Sequence, residues 1–323
     1  MLDVAGPLLL ALAGIGAIVW GAETFAEHLA RAATGLGVST FALALLLAGA
    51  EPEELATAVA ATLRGAPAIA FGDVVGANVT ICLVALGVGA IVAVLPFGPR
   101  VRRYGVLALP LGLLAVAFAW DGRVERLEGA ALVVGYAAYV GAIWIAERRP
   151  PTLGETEELE EAREELAARA APGRTGAGRH LGFVLAGLAG MVLGATLLVD
   201  GVRDLVETEA GQGRVSLTVV GFATGFELVV LAWASARRGI SEAVVAGVVG
   251  SFAYNATMTL GAASIVRPLR VVDAGRLHPA MLAMLAALVL VLALAGRRGE
   301  LGRREGWTLL GLYPIFVVLA LVV

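Results

Sequence analysis

The chain has 323 residues, 59% of them hydrophobic and 16% charged, with 42 glycines and a formal charge of −3. That balance excludes an ordinary soluble domain and a nucleic-acid binder, and it suits a polytopic membrane protein. All 24 basic residues are arginine, and the single cysteine, Cys82, sits in an apolar run, so no disulfide framework exists.

The N-terminal stretch "MLDVAGPLLL" lacks a basic region and reads as the start of a first span, not as a cleaved signal. Apolar runs of spanning length then follow at 5–29, 37–62, 66–95, 104–120, 127–146, 180–206, 215–236, 240–266, 277–296 and 306–323, ten in all. With the N-terminus outside, 16 arginines fall in inner loops against 8 in outer ones, so both termini are expected outside the cell membrane. One polar segment interrupts the series. Residues 147–179 hold "ETEELEEAREELAARA", helix formers with Glu-to-Arg pairs at helical spacing, and read as a solvated acidic helix on the cytoplasmic side. The expected organisation is a first transmembrane repeat at 1–146, this linker at 147–179, and a second repeat at 180–323.

Landmarks recur across the linker. "GAETF", "GAEPEEL" and "GDVVGANVTICLVALG" in the first half answer to "GATLL", "FATGFEL" and "GVVGSFAYNATMTLG" in the second. Gly21 to Gly194 and Glu54 to Glu227 are offsets of 173, and Gly76 to Gly250 and Gly87 to Gly261 are offsets of 174. Five spans per copy is an odd number, so the second copy enters the membrane upside down. The expected fold is all-α: ten transmembrane helices as two inverted five-helix repeats, with interrupted helices at the midplane, an architecture of secondary transporters.

The interruptions coincide with acids. Gly49 and Pro52 punctuate the second span just before Glu54, and Gly221 and Gly225 precede Glu227 at the matching point. A carboxylate at the bilayer centre costs about 2.5–3.5 kcal/mol or more, so such residues read as functional. Broken backbone at that depth is tolerated where it lines a cavity. Glu54 and Glu227 are expected to meet there, faced by Asp73 and Asn78 from the third span and by Ser251 and Asn255 from the eighth. Gly72, Gly76, Gly247 and Gly250 would let those helices pack closely against the broken ones. Carboxylates, amides and hydroxyls without a His or Cys cluster suit a hard cation such as calcium or sodium, and exclude zinc and copper.

Inverted repeats carrying glycine, then glutamate, then a "GNxxGSN"-like stretch resemble the cation/calcium exchanger superfamily, with its sodium/calcium and calcium/proton exchangers. The likeness covers nearly the whole chain. The superfamily's Gly-Thr-Ser-x-Pro-Glu motif reads here as Gly49-Ala50-Glu51-Pro52-Glu53-Glu54, which puts Glu54 at the motif glutamate and Glu53 at its proline. Gly72-Asp73 and Gly76-Ala77-Asn78 match "GN" and "GSN" with substitutions, and Gly250-Ser251 keeps "GS" with Asn255 beyond it. Glu227 follows Ala223 and Thr224 at the equivalent place. The resemblance implies a metal site of Glu54, Glu227, Glu51, Asn78, Thr224, Ser251, Asn255 and Asp73. Hydroxyls that would suit sodium are replaced at Ala50, Glu51 and Ala77, while Glu51 adds an acid able to share a proton with its neighbours.

The expected function is an antiporter exporting a divalent cation, calcium foremost, against H+, which is favoured, or Na+, by alternating access. Its partners are inorganic cations and the lipid bilayer, with no nucleic acid, no cofactor and no second subunit. The competing reading, an intramembrane enzyme such as a lipid-pyrophosphate phosphatase, needs a cationic or nucleophilic group at membrane depth, and the arginines sit in loops. A channel fits poorly with fused copies around one closed site. Elsewhere the residues read blandly. Asp73 is also placed to cap against Arg64, Asp200 and Asp204 to pair with Arg203, Glu23 and Glu27 to mark a membrane boundary, and Tyr254 and Cys82 to pack.

Overall fold

A computed structural model describes residues 4–35, 51–147, 177–238 and 242–322. The opening of the predicted second span, Gly49 and Ala50, and most of the acidic linker lie outside these residues. The described chain is helical almost throughout. Helix α1 (Ala5–Gly35) is followed by the short α2 (Pro52–Leu63), α3 (Pro67–Val92), α4 (Pro99–Ala119) and α5 (Arg126–Glu147). Beyond the linker come α6 (Ala177–Leu205), α7 (209–224), α8 (Phe226–Arg238), α9 (242–266), α10 (His278–Gly296) and α11 (Arg303–Val322).

Among the described residues eight helical stretches are long and apolar enough to cross a membrane, two fewer than the ten predicted spans. The two others fall where α2 and α9 lie: α2 follows immediately on residues outside the described set. The order short helix, long helix with an internal π turn, then two plain helices occurs at 52–147 and again at 226–322. The π turns at Ile81–Ala85 and Tyr254–Thr259 hold matching places in α3 and α9. A third, Ser216–Val220, lies inside α7. A π turn is a single widened turn frequent at functional sites, and nothing in the apolar periodicity announced these three.

Glycine decides how α1 meets α6. A Cβ at Gly14 would lie 2.6 Å from the Gly194 carbonyl oxygen, and one at Gly21 would lie 2.7 Å from that of Gly187. Reciprocally, Gly194 faces Gly14 and Gly187 faces Gly21, while Gly201 faces Pro7. The paired numbers rise on one helix as they fall on the other, so the two run antiparallel, backbone against backbone. Glycines seven residues apart present one flat seam on each helix, the small-residue contact that replaces hydrophobic attraction in a bilayer. The same device joins Gly87 of α3 to Gly306 of α11 and Gly129 of α5 to Gly261 of α9. Gly72 and Gly76 abut Ser216, Gly213 and Leu217, which presses α3 against α7 as the sequence suggested.

Polar contacts sort the loops into two ends. At one end β1 (Leu95–Pro96) pairs with β4 (Glu300–Leu301), and Glu147 accepts from Arg100 at 2.8 Å and Arg103 at 3.3 Å. At the other, β2 (Arg123–Val124) pairs with β3 (Leu269–Arg270) and Arg64 holds Asp200 at 2.7 Å. Asp200 therefore takes Arg64 and not its neighbour Arg203. Glu27 pairs with Arg31 one turn on. His278 stacks on Trp120 with ring centroids 3.9 Å apart, at a span end as expected.

The seam yields a stability prediction. Gly14→Val or Gly194→Val should lower the melting temperature of the detergent-solubilised protein by several degrees, because backbones already in contact must part. Gly16→Val, where an added Cβ meets nothing within 4 Å, serves as the comparison and should melt near wild type. Equal melting of all three would refute the packing role.

Candidate cation site

The acids stand where helices begin. Glu51 occupies the N-cap of α2, with Pro52 opening the helix and Glu53 and Glu54 in its first turn. Proline suits this place because its missing N–H would be unpaired there anyway. The second break falls at Gly225, between the last turn of α7 and the start of α8, and puts Glu227 in the first turn of α8. Carboxylates in the first turn of a helix face the positive end of its dipole, worth about 0.3–1 kcal/mol each when exposed and more when partly buried. The sequence thus places negative side chains at two helix starts, Glu51, Glu53 and Glu54 at that of α2 and Glu227 at that of α8.

Burial is deep. Glu51, Glu53 and Glu54 are 3%, 5% and 1% exposed, Asp73, Asn78, Ser251 and Asn255 are fully enclosed, and Thr224 is 6% exposed. Glu227 is half-buried. Two hydrogen bonds tie opposite halves of the chain together. Asn255 Nδ2 donates to Glu51 Oε2 at 3.1 Å, joining α9 to the start of α2. Thr224 Oγ1 donates to Asp73 Oδ1 at 2.9 Å, joining the α7 break to α3. Asp73 accordingly faces Thr224, not Arg64. Ser251 spends its hydroxyl on the Gly247 carbonyl at 3.3 Å, and Asn78 Nδ2 lies 3.5 Å from the Met284 sulfur.

Oxygens are left over. Glu51 Oε1, Glu53 Oε2, both oxygens of Glu54, Asp73 Oδ2, Asn78 Oδ1, Asn255 Oδ1, Thr80 Oγ1 and Thr259 Oγ1 are buried without a hydrogen-bond partner. Each such group costs about 1–3 kcal/mol, and more if charged. Among the described residues no group of three or more His, Cys, Asp or Glu side chains stands at metal-holding geometry about one point. The arrangement is a loosely set wall of oxygen donors, chemistry suited to hard cations and unsuited to thiophilic metals.

A small cavity of about 10 Å³ opens between α1, α6 and the α7 break, lined on its polar side by Glu53, Thr224 and Glu227. Glu54 is absent from that lining; its charged neighbours are Glu51, Asp73 and Glu53. Sequence reasoning left Glu53 undirected, and it passed over Thr80 and Thr259. "NVT" and "NATMT" carry those hydroxyls beside the two asparagines, which is the signal that could have found them. Tyr254 packs its ring on Tyr136, centroids 5.3 Å apart, and Cys82 is buried in the π turn of α3, both as packing residues.

Known proteins share this chain's sequence pattern and fold. The sodium/calcium exchanger protein family matches residues 6–145 and 179–322. The sodium/calcium exchanger MaX1 of Methanosarcina acetivorans is 25% identical, over 96% of this chain and 97% of its own. A protein named as an antiporter candidate, CaxA of Alkalimonas amylolytica, is 24% identical over 94% of each chain. Among solved structures the sodium-calcium exchanger NCX_Mj superposes with a TM-score of 0.61, covering 98% of this chain and 99% of the other at 22% identity, which establishes a shared fold. A polytopic helical chain matched along nearly its whole length by one family of ion-transporting antiporters is a member of it: this protein belongs to the sodium/calcium exchanger family.

Proposed function

We propose that this protein is a secondary active antiporter that exports a divalent cation, calcium foremost, in exchange for protons, with sodium as the second candidate counter-ion. The observation that carries the reading is the set of buried oxygens without hydrogen-bond partners on Glu51, Glu53 and Glu54 at the start of α2 and on Asp73, Asn78 and Asn255 within α3 and α9. Hydrogen bonds within the protein leave them unsatisfied, and a desolvated cation with six to eight oxygen ligands would satisfy them. Glu54 and Glu227 are the principal ligands, with Glu51, Asp73, Asn78, Thr224, Ser251 and Asn255 around them. Cation and counter-ion compete for the same carboxylates, and that competition couples their movements.

In this reading the ten spans form two inverted five-helix repeats, 1–146 and 180–323, joined by the acidic linker 147–179, with both termini outside. The two blocks of the family match, separated at the linker, and the recurring helix order support it. So does the segregation of the loops, since Arg100, Arg102, Arg103, Arg297, Arg298, Arg303 and Arg304 all belong to segments gathered at the β1–β4 end. Alternating access then moves the α1–α6 pair, with its flat glycine seam, across the site. The protein acts as a monomer without a bound cofactor. Its relatives are exchangers, which weighs against the intramembrane-enzyme reading.

Protons are favoured because Glu51 brings a carboxylate where the resembling exchangers place a hydroxyl. Its bond from Asn255 leaves Oε1 free to take part in binding.

Two outcomes test the reading. Glu54→Gln and Glu227→Gln should each reduce calcium flux into proteoliposomes at least about tenfold, a loss of about 1.4 kcal/mol or more, with unaltered monodispersity. Near-normal exchange by either would defeat the site. Separately, an imposed proton gradient without sodium should drive calcium flux, whereas a sodium gradient at equal pH should drive little. Flux under sodium alone would reverse the counter-ion assignment while leaving the site standing.

A further inference from the structure

Glu53 occupies the position at which the resembling exchangers carry proline, and neither the motif nor the sequence gave it a role. Its side chain is 5% exposed, its Oε2 lacks a hydrogen-bond partner, and it lines the small cavity beneath α1 and α6 together with Glu227 and Thr224. The remaining walls are aliphatic, among them Ile15, Ile18 and Leu198. At about 10 Å³ the cavity has room for one species the size of a water molecule or a bare metal ion. A carboxylate bordering an apolar-walled space of that size is costly unless something charged or hydrogen-bonding shares it.

The acids divide between two sides of the breaks. Glu51 is bonded to Asn255 of α9, and Glu54 has Glu51, Asp73 and Glu53 as its charged neighbours. Glu53 and Glu227 both line the cavity. One divalent ion balances two charges, while four buried acids, Glu51, Glu53, Glu54 and Asp73, and the half-buried Glu227 stand here. Two carboxylates and one hydroxyl oxygen around a single water-sized space are donors enough to begin a second hard-cation position.

We propose that Glu53 is a cation-coordinating residue. With Glu227 and Thr224 it holds a second cation under the α1–α6 pair, next to the position at Glu54, and Glu227 bridges the two. The inference rests on the reading of Glu54 and Glu227 as cation ligands and adds a ligand and a stoichiometry to it.

The test is equilibrium binding of radioactive calcium to the full-length purified protein in detergent, without sodium and without a gradient. Wild type should bind one equivalent more than Glu53→Gln and Glu53→Ala, both of which should retain the tighter equivalent. Gln preserves the shape of the side chain and Ala removes every donor, so the pair separates lost charge from lost packing, and size-exclusion profiles report folding. The same calcium stoichiometry in wild type and in both Glu53 variants overturns the proposal and leaves the Glu54–Glu227 site intact. Failure of that underlying site shows itself differently, as undiminished binding and exchange in Glu54→Gln and Glu227→Gln.

Discussion

Everything in this fold answers to one constraint: carboxylates held away from water, among neighbours that are themselves acidic, amide or hydroxyl. Glu51, Glu53, Glu54 and Asp73 are buried with none of their described hydrogen-bond partners cationic. Packing alone does not make that tolerable. Two helix starts supply backbone N–H groups and the favourable end of a dipole, and Thr224 and Asn255 donate one hydrogen bond each. Those contributions, about 1 kcal/mol apiece for the dipoles and about 1.5–3 for hydrogen bonds to charged groups, fall well short of the desolvation of so many ionised groups. The deficit is what the proposed cation would make good.

The surrounding helices serve that deficit. Breaks at Pro52 and Gly225 exist only because α3, α7 and α9 cover them, and those helices come close because glycines remove the side chains that would hold them apart. The π turns in α3 and α9 lie just beyond Asn78 and at Asn255, so the widened backbone falls beside the amides that face the acids. Along α1 and α6 the glycine seam brings backbone against backbone, with the side chains of Ile18, Trp20 and Met191 seated against glycines of the facing helix.

Much of this was legible in the sequence. Proline and paired glycines marked the breaks, the 173-residue offset between Glu54 and Glu227 marked their equivalence, and the absence of His and Cys among the polar intramembrane groups fixed the donor chemistry as oxygen. Direction was not legible. A helix start sets where Glu51, Glu53 and Glu54 point, and that depends on the first φ and ψ after the break, which composition does not encode. Asp73 has two plausible partners by spacing and takes Thr224, 151 residues away, because α3 and α7 meet glycine to backbone. Asp200 was likewise drawn from adjacent Arg203 to distant Arg64, a choice made by tertiary approach and not by helical periodicity. The π turns gave no warning because one added residue in a uniformly apolar helix leaves no trace in its pattern.

The central claim is that Glu54 and Glu227, arriving from two interrupted helices, share one metal ion. Anomalous diffraction from crystals grown with calcium or its heavier analogue strontium addresses it most directly. The account predicts a peak about 2.3–2.6 Å from a carboxylate oxygen of each residue, the range for calcium–oxygen coordination. A bound ion whose coordination sphere contains neither glutamate would contradict it.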